Sequence, residues 1–417
     1  MKHSSRSVGL KSAGLILCAL IMALNCLPRF AALRELPSDI YLDTESKNDY
    51  LLSLGEPFTL TDEAGMPVSG NLSETLGGKE SDTSYVIALF GIPLKQVNVH
   101  VRDEVYLMPG GETVGISMYC DGVLVVGLGD IQTDSGEYSP AGAAGVKAGD
   151  VIKSVDGTPI ESVTQLLNIC SETDRSYALV IERDGSEMTV HLTPRRNAGG
   201  SSASMGMWVR ESSAGIGTLS FYVMSTLRFG ALGHAVTDSD TGTVIPVREG
   251  KILQADVIGL IEGRQGTPGE IKGTFGNLSK KLAEIENNTE FGVYGTMTDA
   301  LVNPIYPEGL PLAYPEEITT GHATLLAMVD DAGVQEYDCE IIKIYQQPLT
   351  ESKGMVIKVT DYALIEKAGG IVQGMSGSPI IQNGKLVGAV THVFINDPLK
   401  GYGIYALWMY ESSNKRG

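Results

Sequence analysis

The sequence predicts a mainly β protein with more than one domain, and three observations support this prediction. The chain has 417 residues, which is more than one ordinary domain holds. Apolar residues come in short runs, for example at 217–222, 243–247 and 355–359, and such runs are typical of strands. The 50 glycines supply turns between these runs at close spacing. Short strands joined by glycine turns favour barrels or sandwiches over helical bundles.

Residues 1–33 are predicted to be a signal or membrane-anchor segment. Three basic residues precede an uncharged run, and they are Lys2, Arg6 and Lys11. The uncharged run extends from 12 to 28, and as a helix it would span about 26 Å, slightly less than the bilayer core. Neither Ala31 nor Ala32 has a small residue two positions before it, as a good cleavage site requires. We therefore expect a retained or slowly removed anchor rather than a promptly cleaved signal peptide, with the rest of the chain exported.

Residues 34–104 are predicted to be a linker followed by a small β module. The stretch 36–55 is largely polar, which favours a linker. From 57 to 100, strand-like runs alternate with glycine-rich turns. We assign no chemistry to this region.

The overall charge and the cysteine spacing exclude several kinds of partner. The net charge of −19 argues against nucleic-acid binding, and it would be repelled by anionic lipid surfaces. The five cysteines show neither a CxxC pair nor a Cys/His spacing suited to zinc. Two of the five cysteines lie in the N-terminal run, so three remain in the rest of the chain. An odd number of cysteines does not indicate a disulfide framework. We expect no metal and no cofactor.

Residues 105–195 carry the pattern of a peptide-binding domain. A helix is predicted over 163–170, because Ser162 and Gln165 form a capping box before apolar residues at helical spacing. Before it, the segment 144–152 reads Ala-Gly-Val-Lys-Ala-Gly-Asp-Val-Ile. This segment resembles the corresponding one of PDZ domains in bacterial exported proteases. A hairpin with its turn at Asp184-Gly185 is predicted to complete the domain.

The PDZ resemblance implies that an extended peptide adds to a sheet edge while backbone N–H groups hold its carboxylate. The groove would lie between the segment Gly115-Ile116-Ser117-Met118 and the predicted helix, where Val163 and Leu167 would line it. A purely structural unit that binds nothing is the alternative. Gly-Ile-Ser-Met differs from the more common Gly-Leu-Gly-Phe, so a preference for a free C-terminus does not follow.

A second pattern indicates nucleophilic catalysis. The segment Gly374-Met375-Ser376-Gly377-Ser378-Pro379 is a glycine-rich loop that leads into a hairpin with its turn at Asn383-Gly384. A catalytic serine needs a base beside it and donors for the oxyanion, and flanking glycines let successive N–H groups converge. The pattern G-x-S-G-x-P resembles the nucleophile loop of chymotrypsin-like serine proteases. The resemblance makes Ser376, and not Ser378, the nucleophile, with the N–H groups of Gly374 and Ser376 as the oxyanion hole.

The candidate base is one of six histidines, and His234 is preferred. Small residues surround it in Phe-Gly-Ala-Leu-Gly-His-Ala-Val-Thr-Asp at 229–238. A histidine that precedes the serine in the chain suits a two-barrel protease in which each barrel supplies one member of the pair. His392 is closer to Ser376 in sequence, but it lies in a strand-like run at 390–393 and ranks second.

Several of these segments together resemble one family. Gly-Ala-Leu-Gly-His at 230–234 and Gly-Gly-Ile-Val-Gln-Gly-Met-Ser-Gly-Ser-Pro at 369–379 are similar to the SpoIVB peptidases, as are 207–210, 214–219 and 388–393. These are secreted serine peptidases of spore-forming bacteria that act in the sigma-K checkpoint. The resemblance covers the chain from about residue 100 to its end. It implies that 196–417 is a peptidase domain of paired β-barrels, chymotrypsin-like, with the active site in the cleft between them.

The third member of a triad is a carboxylate that orients the histidine and stabilises the imidazolium. Thr360-Asp361 resembles a Thr-Asp pair of the family, so Asp361 is preferred. Asp238 lies near His234 in sequence and is the alternative.

The family resemblance also implies a biological role. The enzyme would reside in the intermembrane space of the developing spore and would cleave itself near its N-terminus. It would then cut the extracytoplasmic part of a membrane-bound regulator, and that cut would release an intramembrane protease acting on pro-sigma-K. A non-catalytic PDZ scaffold with an inactive protease fold is the alternative, although the presence of His234 and Ser376 argues against it. Two further expectations concern structure, namely a flexible linker at 197–204 and a helix at 280–286.

Overall fold

The computed structural model describes residues 15, 28–43, 55–62, 64–68, 81–200, 202–276, 278–345 and 353–415. The described chain forms two compact units, one reaching to Glu104 and one starting at Val105. Within the described ranges, no helix is both long enough and apolar enough to span a bilayer. The predicted targeting segment lies almost entirely outside these ranges, so its anchor role stays a prediction.

The N-terminal unit is a four-stranded sheet covered by one helix. Its elements are α1 (Pro28–Glu35), β1 (Asp39–Asp43), β2 (Phe58–Thr61), β3 (Ser81–Leu89) and β4 (Ile92–Arg102). The strand order is β1-β4-β3-β2, and β1 runs parallel to β4. Leu33 of α1 and Ile40 of β1 are buried in the core of this unit. The polar stretch predicted as a linker therefore contains a strand, because Ile40 can enter the core while the polar side chains beside it pair with β4.

The second unit begins with a barrel into which another sheet is inserted. Its first elements are β5 (Tyr106–Pro109), β6 (Thr113–Leu128), β7 (Ile131–Thr133), β8 (Gly136–Tyr138), α2 (Pro140–Ala143), β9 (Val151–Val155), β10 (Thr158–Pro159), α3 (Val163–Ile169), β11 (Tyr177–Arg183), β12 (Ser186–Leu192), β13 (Arg195–Arg196), β14 (Ala203–Ser204), β15 (Met207–Val223), β16 (Arg228–Ala231), β17 (Val247–Gln254), β18 (Asp256–Ile261), β19 (Glu270–Thr274), β20 (Lys281–Thr289) and β21 (Gly292–Met297). The path β6-β17-β20-β21-β16-β15 closes on itself through the pairing of β6 with β15. The first barrel is therefore six-stranded.

The inserted sheet continues directly from two barrel strands. Beyond the barrel, β6 and β15 remain paired and join β9, β11 and β12 in the order β12-β11-β9-β6. The predicted helix is present as α3, with the Ser162 hydroxyl accepting from the Gln165 N–H, and the predicted hairpin is β11–β12. The stretch predicted as a flexible linker, 197–204, follows β13 and ends with β14, and these two strands pair with each other.

This arrangement corrects the predicted division into a domain at 105–195 followed by one at 196–417. The first part of β6, from Thr113 to Cys120, falls within the predicted first domain, but it pairs with β15 and β17 as a strand of the barrel. A division of the sequence into consecutive domains could not show that the barrel and the inserted sheet share strands. Strand β6 has 16 residues and β15 has 17, and each runs through both sheets. A strand's apolar alternation does not reveal which sheet it enters.

The second barrel is closed by six strands. Its elements and those leading to it are β22 (Leu310–Pro311), β23 (Gly321–Ala327), β24 (Gln335–Ile344), β25 (Met355–Val359), α4 (Tyr362–Ala368), β26 (Pro379–Gln382), β27 (Lys385–Phe394), β28 (Asp397–Tyr405) and α5 (Ala406–Asn414). The barrel order is β23-β24-β25-β28-β27-β26. Asn383 and Gly384 have φ of 53° and 74°, as the predicted hairpin turn requires.

The helix predicted at 280–286 is wrong, because residues 281–286 lie in strand β20. Leu282, Ala283 and Ile285 are buried in the first barrel, and β20 pairs with β17 on one side and β21 on the other. Local propensity favoured a helix, and the two neighbouring strands outweigh it.

Candidate active site

The loop that contains Ser376 is held between the two barrels. The Thr218 N–H of β15 donates to the Ser376 carbonyl over 2.9 Å. The Thr218 hydroxyl donates to the Gly374 carbonyl over 2.7 Å. On the side of the second barrel, the Gly377 N–H donates to the Val390 carbonyl over 2.7 Å. The loop therefore belongs in sequence to the second barrel and is fixed in place by the first.

Glycine is required at Gly377 for this close approach. Its φ is 99°, and a Cβ there would lie 2.1 Å from the Thr218 carbonyl oxygen. Any side chain at position 377 would push the loop away from β15. The close spacing of the two barrels at this point therefore depends on glycine, which has no side chain.

His234 reaches the same junction from the first barrel. It follows β16 after Leu232 and Gly233, which have φ of 70° and 71°. A Cβ on Gly233 would lie 2.9 Å from the Thr391 methyl group of β27, so this turn packs closely on the second barrel. Leu232 is a bulky, buried residue in a left-handed conformation. Residues with a strained backbone often cluster at functional sites.

One cavity of about 810 Å³ brings these groups together, and both Ser376 and His234 line it. His392 also lines the cavity, and its ring centroid lies 4.7 Å from that of His234. The two rings are tilted by 36°. The cavity is large enough to receive several residues of an extended peptide.

The hydrogen bond of His234 fixes its tautomer. Its Nδ1 lies 2.8 Å from the Ala235 carbonyl oxygen, and because a carbonyl only accepts, Nδ1 carries the proton. The Nε2 atom is then left with a free lone pair, which is the state a general base needs.

Both histidines are held neutral near pH 7. Burial lowers the pKa of His234 below its ordinary value, opposed by the bond to the Ala235 carbonyl. Burial, then the charges of His234 and Lys353, lowers the pKa of His392 to about 4. A neutral His234 can accept a proton near pH 7, whereas His392 becomes protonated only when the pH falls to about 4.

The two serines of the loop differ in access. The Ser378 side chain is fully buried, and its hydroxyl has no hydrogen-bond partner in the described part of the chain. Ser376 is half-buried and lines the cavity, where its hydroxyl donates to the Thr391 carbonyl over 2.7 Å. The backbone hydrogen bonds of the described loop leave the N–H groups of Gly374 and Ser376 unused. Those two donors are available for a developing oxyanion.

Comparison with known proteins now decides the family. A model of the SpoIVB peptidase S55 family matches residues 201–410. The chain belongs to this family. It is therefore a serine peptidase whose substrates are peptides or proteins, as the sequence predicts.

Among solved structures, the S55 chain is similar to the Rv3671c protease from M. tuberculosis. The active form shows 15% identity over 49% of this chain and 75% of that one, with a TM-score of 0.29. The inactive form shows 15% identity over 48% and 84%, with a TM-score of 0.28. No curated protein matches the chain.

The carboxylate of the triad stays a prediction in this S55 peptidase. Asp361 caps α4, where its carboxylate accepts from the Leu364 N–H over 2.9 Å, and it does not line the cavity. Asp238 is buried and accepts from Arg210 and from the N–H groups of Asp240 and Thr241. The structure thus joins neither aspartate to His234.

Sequence reasoning missed three residues at the site. Thr218 and Thr391 lie inside segments that resemble the family, but a threonine in a strand gives no sign of a role in positioning a loop. Glu290 lies in the turn between β20 and β21 and is the single acidic side chain among the described residues that line the cavity. Its sequence neighbours form no recognisable pattern.

The predicted peptide-binding role of Gly115, Ile116, Ser117 and Met118 is wrong. These residues form the barrel part of β6, which pairs with β15 on one edge and with β17 on the other. No edge is left to which a peptide strand could add. A Cβ on Gly115 would also lie 2.3 Å from the Phe275 ring. The predicted helix residues remain available, since Leu167 on α3 is 53% exposed and Val163 is half-buried.

Proposed function

We propose that this S55 peptidase is an exported serine endopeptidase that processes itself and then cuts the extracytoplasmic part of a membrane-bound regulator. That cut would trigger activation of pro-sigma-K during sporulation, in the intermembrane space of the developing spore. The observation that carries the proposal is the placement of Ser376 and His234, from two barrels, at one cavity. Membership of the SpoIVB family supports the biological role.

The proposed chemistry is that of a chymotrypsin-like double barrel. His234 Nε2 takes the proton of the Ser376 hydroxyl as the oxygen attacks the substrate carbonyl carbon. The N–H groups of Gly374 and Ser376 stabilise the oxyanion of the tetrahedral intermediate. His234 returns the proton to the leaving amine, and water then hydrolyses the acyl-enzyme. Asp361 is the proposed carboxylate that stabilises the imidazolium.

The proposed mechanism requires two rearrangements. In the described conformation the Ser376 proton points to the Thr391 carbonyl, and the Ala235 carbonyl holds the Nδ1 proton of His234. Rotation about the Ser376 side-chain bond frees the hydroxyl for His234. His234 must also release the Ala235 carbonyl for Asp361 to accept the Nδ1 proton in the proposed mechanism.

The inserted sheet is proposed to be a PDZ domain whose groove lies between α3 and β15. Over residues 207–210, β15 pairs with β6 on one edge, and no described strand pairs with the other. The Glu211 carboxylate accepts from the Val163 N–H, which sets α3 beside this strand. A peptide added there would be held in the extended form that a protease cleft also needs.

Mass-spectrometric mapping of N-termini tests self-processing together with the nucleophile. A tethered segment meets the cleft at millimolar effective concentration, so even a mediocre sequence is cut. The cuts are expected between about residues 36 and 60, and because strand β1 is paired with β4 they should fall outside that strand. The shortened termini should be present in the wild type and absent in Ser376→Ala. The same termini in Ser376→Ala, made without any active copy, would show that another protease is responsible.

A further inference from the structure

The hairpin between β3 and β4 exposes apolar side chains at its end. The apolar tip, defined as residues 89–94, reads Leu-Phe-Gly-Ile-Pro-Leu. Phe90 is 81% exposed, Ile92 is 64% exposed and Leu94 is 44% exposed. Single exposed apolar residues are ordinary on protein surfaces, but a continuous group of them indicates an interaction surface.

The turn itself is built at a cost to the fold. Leu89 pairs with Ile92, so Phe90 and Gly91 form a two-residue turn, with φ of 49° and 80°. Both values are positive, as in a type I′ turn, whose first position favours Asn, Asp or Gly. A phenylalanine there strains the backbone, and its exposed ring gains nothing from the core. The residue type therefore fits a contact outside the unit better than it fits the turn.

The chain enters the N-terminal unit at this same end. Phe30 in the first turn of α1 packs edge-on against Phe58, with ring centroids 5.2 Å apart. Phe58 in turn pairs with Leu89, the residue next to the turn. Strand β1 then runs parallel to β4, from Asn98 towards Arg102, which is away from the tip. The segment before Pro28 thus joins the unit beside the apolar tip.

Sequence and charge identify what meets this end. The segment that precedes Pro28 is uncharged from 12 onward and is apolar for most of its length. Between 83 and 101 the single charged residue of the sequence is Lys95, although the whole chain carries −19. Residues 83–101 therefore add no acidic side chain of their own that an anionic surface would repel.

We propose that the apolar tip lies in the lipid surface, beside the point where residues 12–28 enter it. Phe90, Ile92 and Leu94 would transfer their exposed apolar area into the headgroup and acyl-chain boundary. An aromatic ring at that boundary is favourable, as the aromatic belts of membrane proteins show. The contact adds a second attachment to the anchor and fixes the orientation of the N-terminal unit on the membrane. It does not depend on the proposed peptidase substrate.

Tryptophan fluorescence in vesicles tests the contact directly. The full chain, with Ser376→Ala in every variant and in the reference so that the proposed self-cleavage does not occur, is reconstituted into phosphatidylcholine vesicles with a minority of phosphatidylglycerol. Its intact mass is verified, and emission is compared with that in acyl-brominated phosphatidylcholine. Phe90→Trp should add emission at shorter wavelength that the brominated lipid quenches, relative to the reference with its two tryptophans. Met66→Trp is the matched control, since Met66 is 64% exposed and lies beyond Thr61, the other end of β2. Equal, unquenched emission from both variants would overturn the proposal.

A second variant separates lipid contact from folding. Leu94→Trp serves as the reporter, with and without Phe90→Asn. Asn-Gly is a favoured type I′ pair, so Phe90→Asn should keep or raise the urea midpoint of unfolding. The same change should reduce bromolipid quenching of the Leu94→Trp reporter severalfold. Quenching that persists unchanged in Phe90→Asn combined with Ile92→Asn would show that these side chains do not hold the tip in lipid, and the proposal would fail.

Discussion

At the scale of single residues, Ser376 and Ser378 stand two positions apart in one loop with opposite surroundings. The Ser378 hydroxyl is buried and has no hydrogen-bond partner among the described residues, whereas Ser376 lines the cavity. Ser376→Ala should therefore abolish labelling by a fluorophosphonate, while Ser378→Ala should keep it. Loss of an unpaired buried hydroxyl costs little, so Ser378→Ala should also keep its melting temperature. Labelling that survives Ser376→Ala would refute the assignment.

The two histidines give a prediction about pH. A base must be neutral, and burial lowers the pKa of His234, so activity is retained until the pH falls through that lowered value. The acid limb of kcat/KM should therefore lie below about 6.5, the ordinary histidine value. His392, with a pKa of about 4, is already neutral there, so His392→Ala should keep the limb.

His234→Ala should lower kcat/KM by about 10⁴-fold or more, as loss of a triad member does in other serine proteases. A fluorogenic peptide assay across the pH range measures both effects, and circular dichroism verifies that each variant is folded. Equal losses in folded His234→Ala and His392→Ala would leave the identity of the base open.

At the scale of elements, helix α4 offers a clean test of the triad carboxylate. Asp361 is its N-cap, and asparagine caps a helix about as well as aspartate. Asp361→Asn should therefore leave the melting temperature nearly unchanged. If Asp361 supports the imidazolium, the same change should lower kcat by about 10⁴-fold. A folded, fully active Asp361→Asn would exclude it, and Glu290→Gln in the cavity would then be the variant to compare.

The elements also show what the sequence could predict. The Ser162 cap, the Asp184-Gly185 turn and the Asn383-Gly384 turn were predictable because their residue types act over a few positions. The role of Gly115–Met118 was not, since it depends on strands β15 and β17, which lie far away in sequence. The loop that contains Ser376 was predictable from its glycines, but its support by Thr218 comes from the other barrel.

At the scale of the whole molecule, the catalytic unit is one interleaved body rather than consecutive domains. The inserted sheet continues from the barrel strands β6 and β15. A peptide bound beside α3 would therefore contact β15. The same strand carries Thr218, which is hydrogen-bonded to the loop that contains Ser376. The sequence could predict that Ser376 and His234 lie in different barrels. It could not reveal the continuity of the two sheets, because that continuity arises from pairing between distant segments.

The junction between the barrels gives the last prediction. Gly377 and Gly384 both have positive φ, of 99° and 74°. A Cβ on Gly377 would meet the Thr218 carbonyl, while one on Gly384 would meet no atom of the described residues within 4 Å. Gly384→Ala should cost about 1–2 kcal/mol of unfolding free energy from backbone strain alone, and the folded protein should keep its activity. Gly377→Ala should cost roughly 1–3 kcal/mol more, because the added methyl group forces the loop away from β15.

Urea unfolding and fluorophosphonate labelling of the folded fraction measure the two effects of Gly377→Ala separately. Displacement of the loop moves Ser376 and both oxyanion donors together, so labelling should fall far more than the folded fraction does. If Gly377→Ala matched Gly384→Ala in both measurements, the barrels would not hold the nucleophile in the way that the contacts of Thr218 indicate.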